Sequence, residues 1–163
     1  MTEQYCRPAT FEDLKQVIQS LNDNGVPYLL IGGYALFAHG YHRATEDIDL
    51  LIPATREAGE KLIKALMILP DQSAKDLPIE WFGAEDEENI RLVDEYVIDI
   101  LFRACDETYE SLQQYTEVLT LDGGIEISTV NLEGLFLTKQ TVREKDKVDS
   151  LILKRALDAM KKV

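Results

Sequence analysis

The feature that most constrains the fold is an apolar run interrupted by two glycines: VPYLLI at residues 26–31, then Gly32-Gly33, then YALFAHG ending in Gly40. The first segment predicts a buried strand, the glycine pair lets the chain turn sharply, and the third predicts one or two turns of helix stopped by Gly40. A strand that passes straight into a helix buries itself between neighbours, so this unit requires a sheet with helices packed on it.

Downstream, HRATEDIDLLI at residues 42–52 predicts a second buried strand, closed by Pro53, with Asp47 and Asp49 set two residues apart. Side chains at i and i+2 of a strand share a face, with Cα atoms roughly 6.6 Å apart, so both carboxylates aim at one small volume while Ile48 turns into the core. A carboxylate entering an apolar layer loses several kcal/mol of hydration unless something positive receives it. IRLV, a two-residue break at Asp94-Glu95 and YVIDILF predict two antiparallel neighbours, the second carrying Asp99 between Ile98 and Ile100. If that strand lies beside the first, three carboxylates meet, and like charges so placed repel. Divalent cations resolve the conflict, because hard oxygen ligands suit Mg²⁺ or Mn²⁺ and leave coordination positions for substrate phosphates.

The remaining pattern surrounds this sheet with helices. Thr10 caps a helix whose apolar positions Phe11, Leu14, Ile18 and Leu21 follow the 3.6-residue period, with Asn24-Gly25 as its stop; Thr55 caps REAGEKLIKALMIL, which Pro70 ends. Residues 71–89 predict mainly loop, with a short strand at Ile79–Phe82, and DETYESLQQY predicts a short helix. EVLTLDGGIEIS is a hairpin around Asp122-Gly123-Gly124, followed by two helical stretches, LEGLFLTKQTVR and DKVDSLILKRALDAMKK. The expectation is an α/β (α+β) fold: a small mixed sheet flanked by helices, one domain over residues 1–163, with a core over about 10–128 and a C-terminal helical segment over about 129–163.

Composition narrows the partners. Hydrophobic residues make up 45% of the chain, yet none of its runs approaches the roughly 18 apolar residues of a membrane span, and MTEQYCRPATFEDL resembles neither a signal nor a transit peptide. A cytoplasmic protein with no membrane association is expected, with Cys6 and Cys105 as free thiols. The net charge of −13 opposes broad, non-specific nucleic-acid binding, although residues 139–163 carry eight basic against four acidic side chains.

Backbone N–H groups at a glycine turn that opens a helix favour phosphate. Gly32-Gly33 lacks both the Lys-Ser/Thr of a Walker loop and the G-x-G-x-x-G of a dinucleotide fold. Arg43, four residues before Asp47, suits either a phosphate contact or an ion pair with the acids. Lys139 and Arg143 lie one helical turn apart and could reach phosphate or nucleobase, or form a surface pair. His39 and His42 lack further zinc ligands, Tyr34, Phe37 and Tyr41 suit the core or stacking on a base, Tyr28 is expected in the core, and Trp81 is a candidate for a substrate rim.

Taken together, LLIGGYALFAHGYHRATEDIDLLI and VIDILF resemble the DNA polymerase β-like nucleotidyltransferase superfamily, with its glycine turn, D-x-D and later acid on a neighbouring strand. LDGGIEISTVNLEGLFLTKQTVREKDKVDSLILKRAL resembles the end of the AbiEii-type branch and the uncharacterised bacterial nucleotidyltransferase-like proteins close to it. There a helical lysine precedes D-x-x-D, matched by Lys139, Asp146 and Asp149. The resemblance covers roughly half the chain. It implies that Gly32 and Gly33 hold a triphosphate, that Asp47, Asp49 and Asp99 ligate Mg²⁺ or Mn²⁺, and that Asp99 also orients or deprotonates an attacking hydroxyl. The implied activity moves a nucleoside monophosphate from an NTP to a protein, RNA or small-molecule hydroxyl. Two departures, glycine rather than serine at position 33 and the acids of WFGAEDEENIRLVDE near the expected site, keep an alternative open. This is a catalytically silent protein of the same fold that binds a partner, such as a cognate antitoxin in a toxin–antitoxin or abortive-infection pair. A third reading is a modifier of cationic small molecules, drawn by the acidic stretch.

Overall fold

A computed structural model describes residues 6–42, 45–83, 88–140 and 144–161, the side chains at 144 and 145 excepted. Its elements are α1 (Phe11–Asp23), β1 (Leu29–Ile31), α2 (Gly32–Ala38), β2 (Ile48–Leu51), α3 (Arg56–Leu66), β3 (Ile90–Val93), β4 (Val97–Leu101), β5 (Thr116–Thr120), β6 (Glu126–Val130), α4 (Leu132–Thr138) and α5 (Glu144–Lys161). The strands form one sheet in the order β3-β4-β2-β1-β6-β5. The sheet is mixed: β1–β2, β3–β4 and β5–β6 run antiparallel, whereas β2–β4 and β1–β6 run parallel.

The helices begin where their caps require. Thr10 Oγ1 accepts the Asp13 N–H while the Asp13 carboxylate accepts the Thr10 N–H, a reciprocal capping box, and Thr55 accepts the Ala58 N–H at the start of α3. Leu14, Val17, Ile18 and Leu21 of α1 join Leu62, Ala65 and Leu66 of α3 in the core cluster with Leu30, Ile48, Leu50, Ile98 and Ile100 of the sheet. Full burial of each leucine, isoleucine or valine among them is worth about 1.5–3 kcal/mol. Ser20 at the α1–α3 contact is satisfied by donating to the Ala65 carbonyl at 2.7 Å.

Four local expectations differ from what is found. Ile79–Trp81 form a 3₁₀ turn instead of a strand. The Trp81 and Phe82 N–H groups donate back to Pro78 and Ile79, so they are not offered to a neighbouring strand. DETYESLQQY is a series of turns with a 3₁₀ segment at Gln113–Tyr115. Thr108 and Ser111 exchange side-chain-to-backbone hydrogen bonds that compete with a helix. The first C-terminal helix stops at Thr138 with Lys139 at its C-cap, so Lys139 does not continue a helical face.

The fourth difference is the β3–β4 connection. Val93 pairs with Val97, so the loop has three residues, Asp94 to Tyr96, where a two-residue break was expected. Asp94 is buried, and its carboxylate accepts the N–H groups of Asp71, Ser73 and Glu95 at 2.8–2.9 Å. Burial alone would raise its pKa, but these three donors outweigh it and hold the carboxyl below the usual Asp value. The neighbouring Tyr96 phenol is pushed up to about 12, chiefly by burial.

Candidate active site

Strand pairing builds the site. Ile31 of β1 pairs with Asp49 of β2, Asp49 with Asp99 of β4, and Asp99 with Arg91 of β3. Residues in register across neighbouring strands point to the same side, so Asp49, Asp99 and Arg91 form one row, and Asp47 lies two residues before Asp49 on the same face. The opposite face carries Ile48, Leu50, Ile98 and Ile100, each fully buried. The apolar residues that alternate with the acids are therefore what turns the carboxylates away from the core.

The row opens into a cavity of about 410 Å³ lined by residues from both halves of the chain, among them Gly32, Asp47, Asp49 and Asp99, and from the C-terminal helices Lys139 and Asp146. Gly32 has φ +75°, the left-handed region, and a Cβ there would stand 2.0 Å from Asp49 Oδ2. The glycine turn thus lets the backbone approach the carboxylate more closely than any side chain would permit. Gly33 is buried in the first turn of α2 and does not line the cavity.

Two basic groups occupy this region in different ways. Arg91 reaches Asp47 through Nη2 at 3.2 Å and Asp99 through Nη1 at 3.4 Å; its side chain is 60% exposed, and those of Asp47 and Asp99 are 24% and 19% exposed. Lys139 Nζ contacts Asp146 at 3.1 Å and Asp149 at 3.0 Å, with side-chain exposures of 10%, 8% and 0%. Asp146 and Asp149, spaced i and i+3, share one face of α5. The lysine consequently ties the end of α4 to α5 while still bordering the cavity. Asp149 lies behind it, away from the lining.

Asp47, Asp49 and Asp99 are the side chains that could hold a hard divalent cation, and carboxylate oxygens are the appropriate donors. Among the described residues, no three His, Cys, Asp or Glu side chains are already gathered as a metal cage. Arg91 spans two of the three acids instead. Sequence reasoning missed Arg91. The signal was present in the hairpin, because a three-residue loop puts position 91 opposite 99, whereas a two-residue loop puts it opposite Ile98. Asn89 and Arg103 also line the cavity and were not anticipated.

The expected positions of Arg43 and Arg143 lie outside the described residues. His39 Nε2 lies 2.8 Å from the Val130 carbonyl, and His42 packs edge-on against Phe37, so the two histidines serve separate local contacts. Tyr34 is buried, with its hydroxyl donating to the Ala9 carbonyl, and Tyr28 is buried with its hydroxyl bonded to Asn22. Trp81 is half-exposed and does not line the cavity, so the expected substrate-rim role finds no support in its position.

The mixed sheet with helices at its C-terminal end and acids on adjacent strands defines a nucleotidyltransferase-like α/β protein. The model of the family described as nucleotidyl transferase AbiEii toxin, type IV toxin–antitoxin system, matches residues 17–142, and the chain belongs to that family. The match takes in the glycine turn, all three acids and Lys139, and ends before Asp146 and Asp149. No curated protein matches the chain. None of the helices among the described residues is long and apolar enough to cross a membrane.

Proposed function

We propose that the chain is a Mg²⁺- or Mn²⁺-dependent nucleotidyltransferase that moves a nucleoside monophosphate from an NTP to an acceptor hydroxyl and releases pyrophosphate. The observation that carries this reading is the registered pair Asp49–Asp99 on adjacent parallel strands, with Asp47 on the same face and Gly32 pressed against Asp49. In this reading Asp47, Asp49 and Asp99 hold the cations, and the backbone at Gly32, which borders the cavity, receives the triphosphate. Bound metal would polarise the phosphoryl group and offset the charge of the departing pyrophosphate. Asp99 orients the acceptor hydroxyl or takes its proton as the new P–O bond forms and the α–β bridging bond breaks. Arg43 is assigned to a phosphate contact and Arg143 to a phosphate or nucleobase contact, while Lys139, held between Asp146 and Asp149, forms part of the cavity wall. Positioning and charge stabilisation dominate such transfers.

The test is incubation of the full chain with each labelled NTP and Mg²⁺ or Mn²⁺, followed by a search for label on protein, RNA and small metabolites. Label on one acceptor class, abolished by Asp49→Asn and Asp99→Asn in folded protein, is the expected result. Absence of label together with absence of nucleotide and metal binding at millimolar concentrations in calorimetry overturns the reading.

A second reading is favoured by the guanidinium lying across Asp47 and Asp99: a silent member of the family that acts through a protein partner, with a cognate antitoxin as the first to test. Stable capture of the antitoxin that survives Asp49→Asn, without any nucleotide turnover by the wild type, would favour it.

A further inference from the structure

Arg91 sits where a cation is required, but it is held unlike a structural ion pair. It lies on β3, the edge strand of the sheet, with no further strand outside it among the described residues. Backbone pairing with Asp99 anchors its Cα beside the acids, while its exposed side chain makes contacts of 3.2–3.4 Å. Charge-assisted N–H···O bonds usually run about 2.7–2.9 Å, so this bridge is loose. Lys139, by contrast, is almost fully enclosed between its two carboxylates.

A guanidinium and a divalent ion cannot share the same oxygens without strong repulsion. A metal that settles on Asp47 and Asp99 must therefore expel the arginine tip, and the short reach from its anchored Cα leaves that tip at the cavity edge. Arg103 lines the same cavity, so an anion arriving there meets two guanidinium-bearing residues.

We propose that Arg91 is a displaceable counter-cation: it bridges Asp47 and Asp99 until a divalent ion takes that position, then turns to the polyphosphate of the incoming nucleotide. The proposal rests on reading the three acids as the metal and nucleotide site. Its consequence is coupling. Metal alone must compete with Arg91, whereas nucleotide offers the displaced guanidinium a partner, so each ligand tightens the other by the same factor.

The experiment is Mn²⁺ binding to the full chain, measured by calorimetry and by the electron-spin signal of free Mn²⁺, with and without a non-hydrolysable analogue of each ribonucleoside triphosphate. Arg91→Gln is expected to bind Mn²⁺ alone about fivefold more tightly than wild type, the scale of losing a loose, exposed competing ion pair. It is also expected to lose most of the nucleotide-induced tightening. Arg91→Lys, which keeps the charge but cannot fork across two carboxylates, should fall between. Circular dichroism checks that each variant is folded. If wild type and Arg91→Gln bind Mn²⁺ equally, or Arg103→Gln tightens it as much, the displacement idea fails while the metal-site reading stands. If neither binds Mn²⁺, or Asp49→Asn binds it as well as wild type, the metal-site reading itself fails and takes the proposal with it.

Discussion

Two places among the described residues set a basic side chain between two aspartates, and they differ in nearly every other respect. At the cavity mouth, Arg91 spans Asp47 and Asp99 from an edge strand, its own side chain largely in water and the two carboxylates partly exposed. In the cavity wall, Lys139 joins Asp146 and, behind it, Asp149, almost without solvent access. Solvent decides what each arrangement can do. In water an ion pair is worth about 0–1 kcal/mol and can be exchanged for another cation. In a dry interior, removing one partner strands a charge, so the pair is fixed. The same chemical motif serves as an exchangeable site in one region and as a permanent tie in the other.

The largest expected effect tests the buried side. Lys139→Met withdraws the ammonium from between two enclosed carboxylates and is expected to lower stability by about 3–5 kcal/mol in urea unfolding. A loss below about 1 kcal/mol would place the cluster among surface pairs and dissolve the contrast.

Next comes Asp94, whose loop sets the register that brings Arg91 opposite Asp99. Asp94→Ala removes the acceptor of three backbone N–H groups and is expected to cost about 3 kcal/mol at neutral pH, since hydrogen bonds to charged groups contribute about 1.5–3 kcal/mol. The Asp94 carboxyl lies below its ordinary value in the folded protein, so its contribution is fully present above the unfolded value of about 4 and is lost as pH falls through the folded value. The gap between wild type and variant should therefore narrow on acidification below about pH 4. Asp13 is also depressed, mainly by the hydrogen bond from the Arg7 guanidinium, and it adds to the acid sensitivity of both proteins.

These two regions were unequally legible in the sequence. The glycine turn could be read as a local break between strand and helix, and the D-x-D spacing and Asp99 between isoleucines as period-two alternation, which the strand pairing follows. Arg91 escaped because its position depends on the length of one loop. That length is stabilised by Asp71 and Ser73, residues more than 20 positions away. The Lys139 tie was not legible: the family resemblance sets Lys139 before Asp146 and Asp149 without pairing them. Periodicity suggested that α4 continued past residue 139, but the chain turns there so that α5 can supply both acids. Loop length and helix termination both depend on contacts distant in sequence, which alternation and capping patterns do not encode.

A smaller effect isolates the open region. Gly32→Ala puts a Cβ into the Asp49 carboxylate and forces a left-handed φ on an L-residue, which costs about 1–2 kcal/mol. Rotating the carboxylate alone does not relieve the clash, since Asp49 Cγ and Cβ would lie 2.9 and 3.1 Å from the new Cβ, so the whole Asp49 side chain must shift and loses its orientation. Metal affinity should then drop without any change in the Lys139 tie, as read by the additivity of Gly32→Ala with Lys139→Met.

The smallest effect is the sharpest test of the contrast, because it depends on screening alone. Arg91→Ala is expected to change stability by less than about 1 kcal/mol at 0.1 M salt, since the bridge it removes is long and exposed. At 1 M salt the Debye length shrinks to about 3 Å, and that difference should disappear. The cost of Lys139→Met should persist at the same salt concentration, because ions do not enter a site as closed as that around Asp149. Parallel urea titrations of the two variants at both salt concentrations measure this. Equal salt responses would mean that both cations are held alike, and Arg91 could then not be the group that gives way.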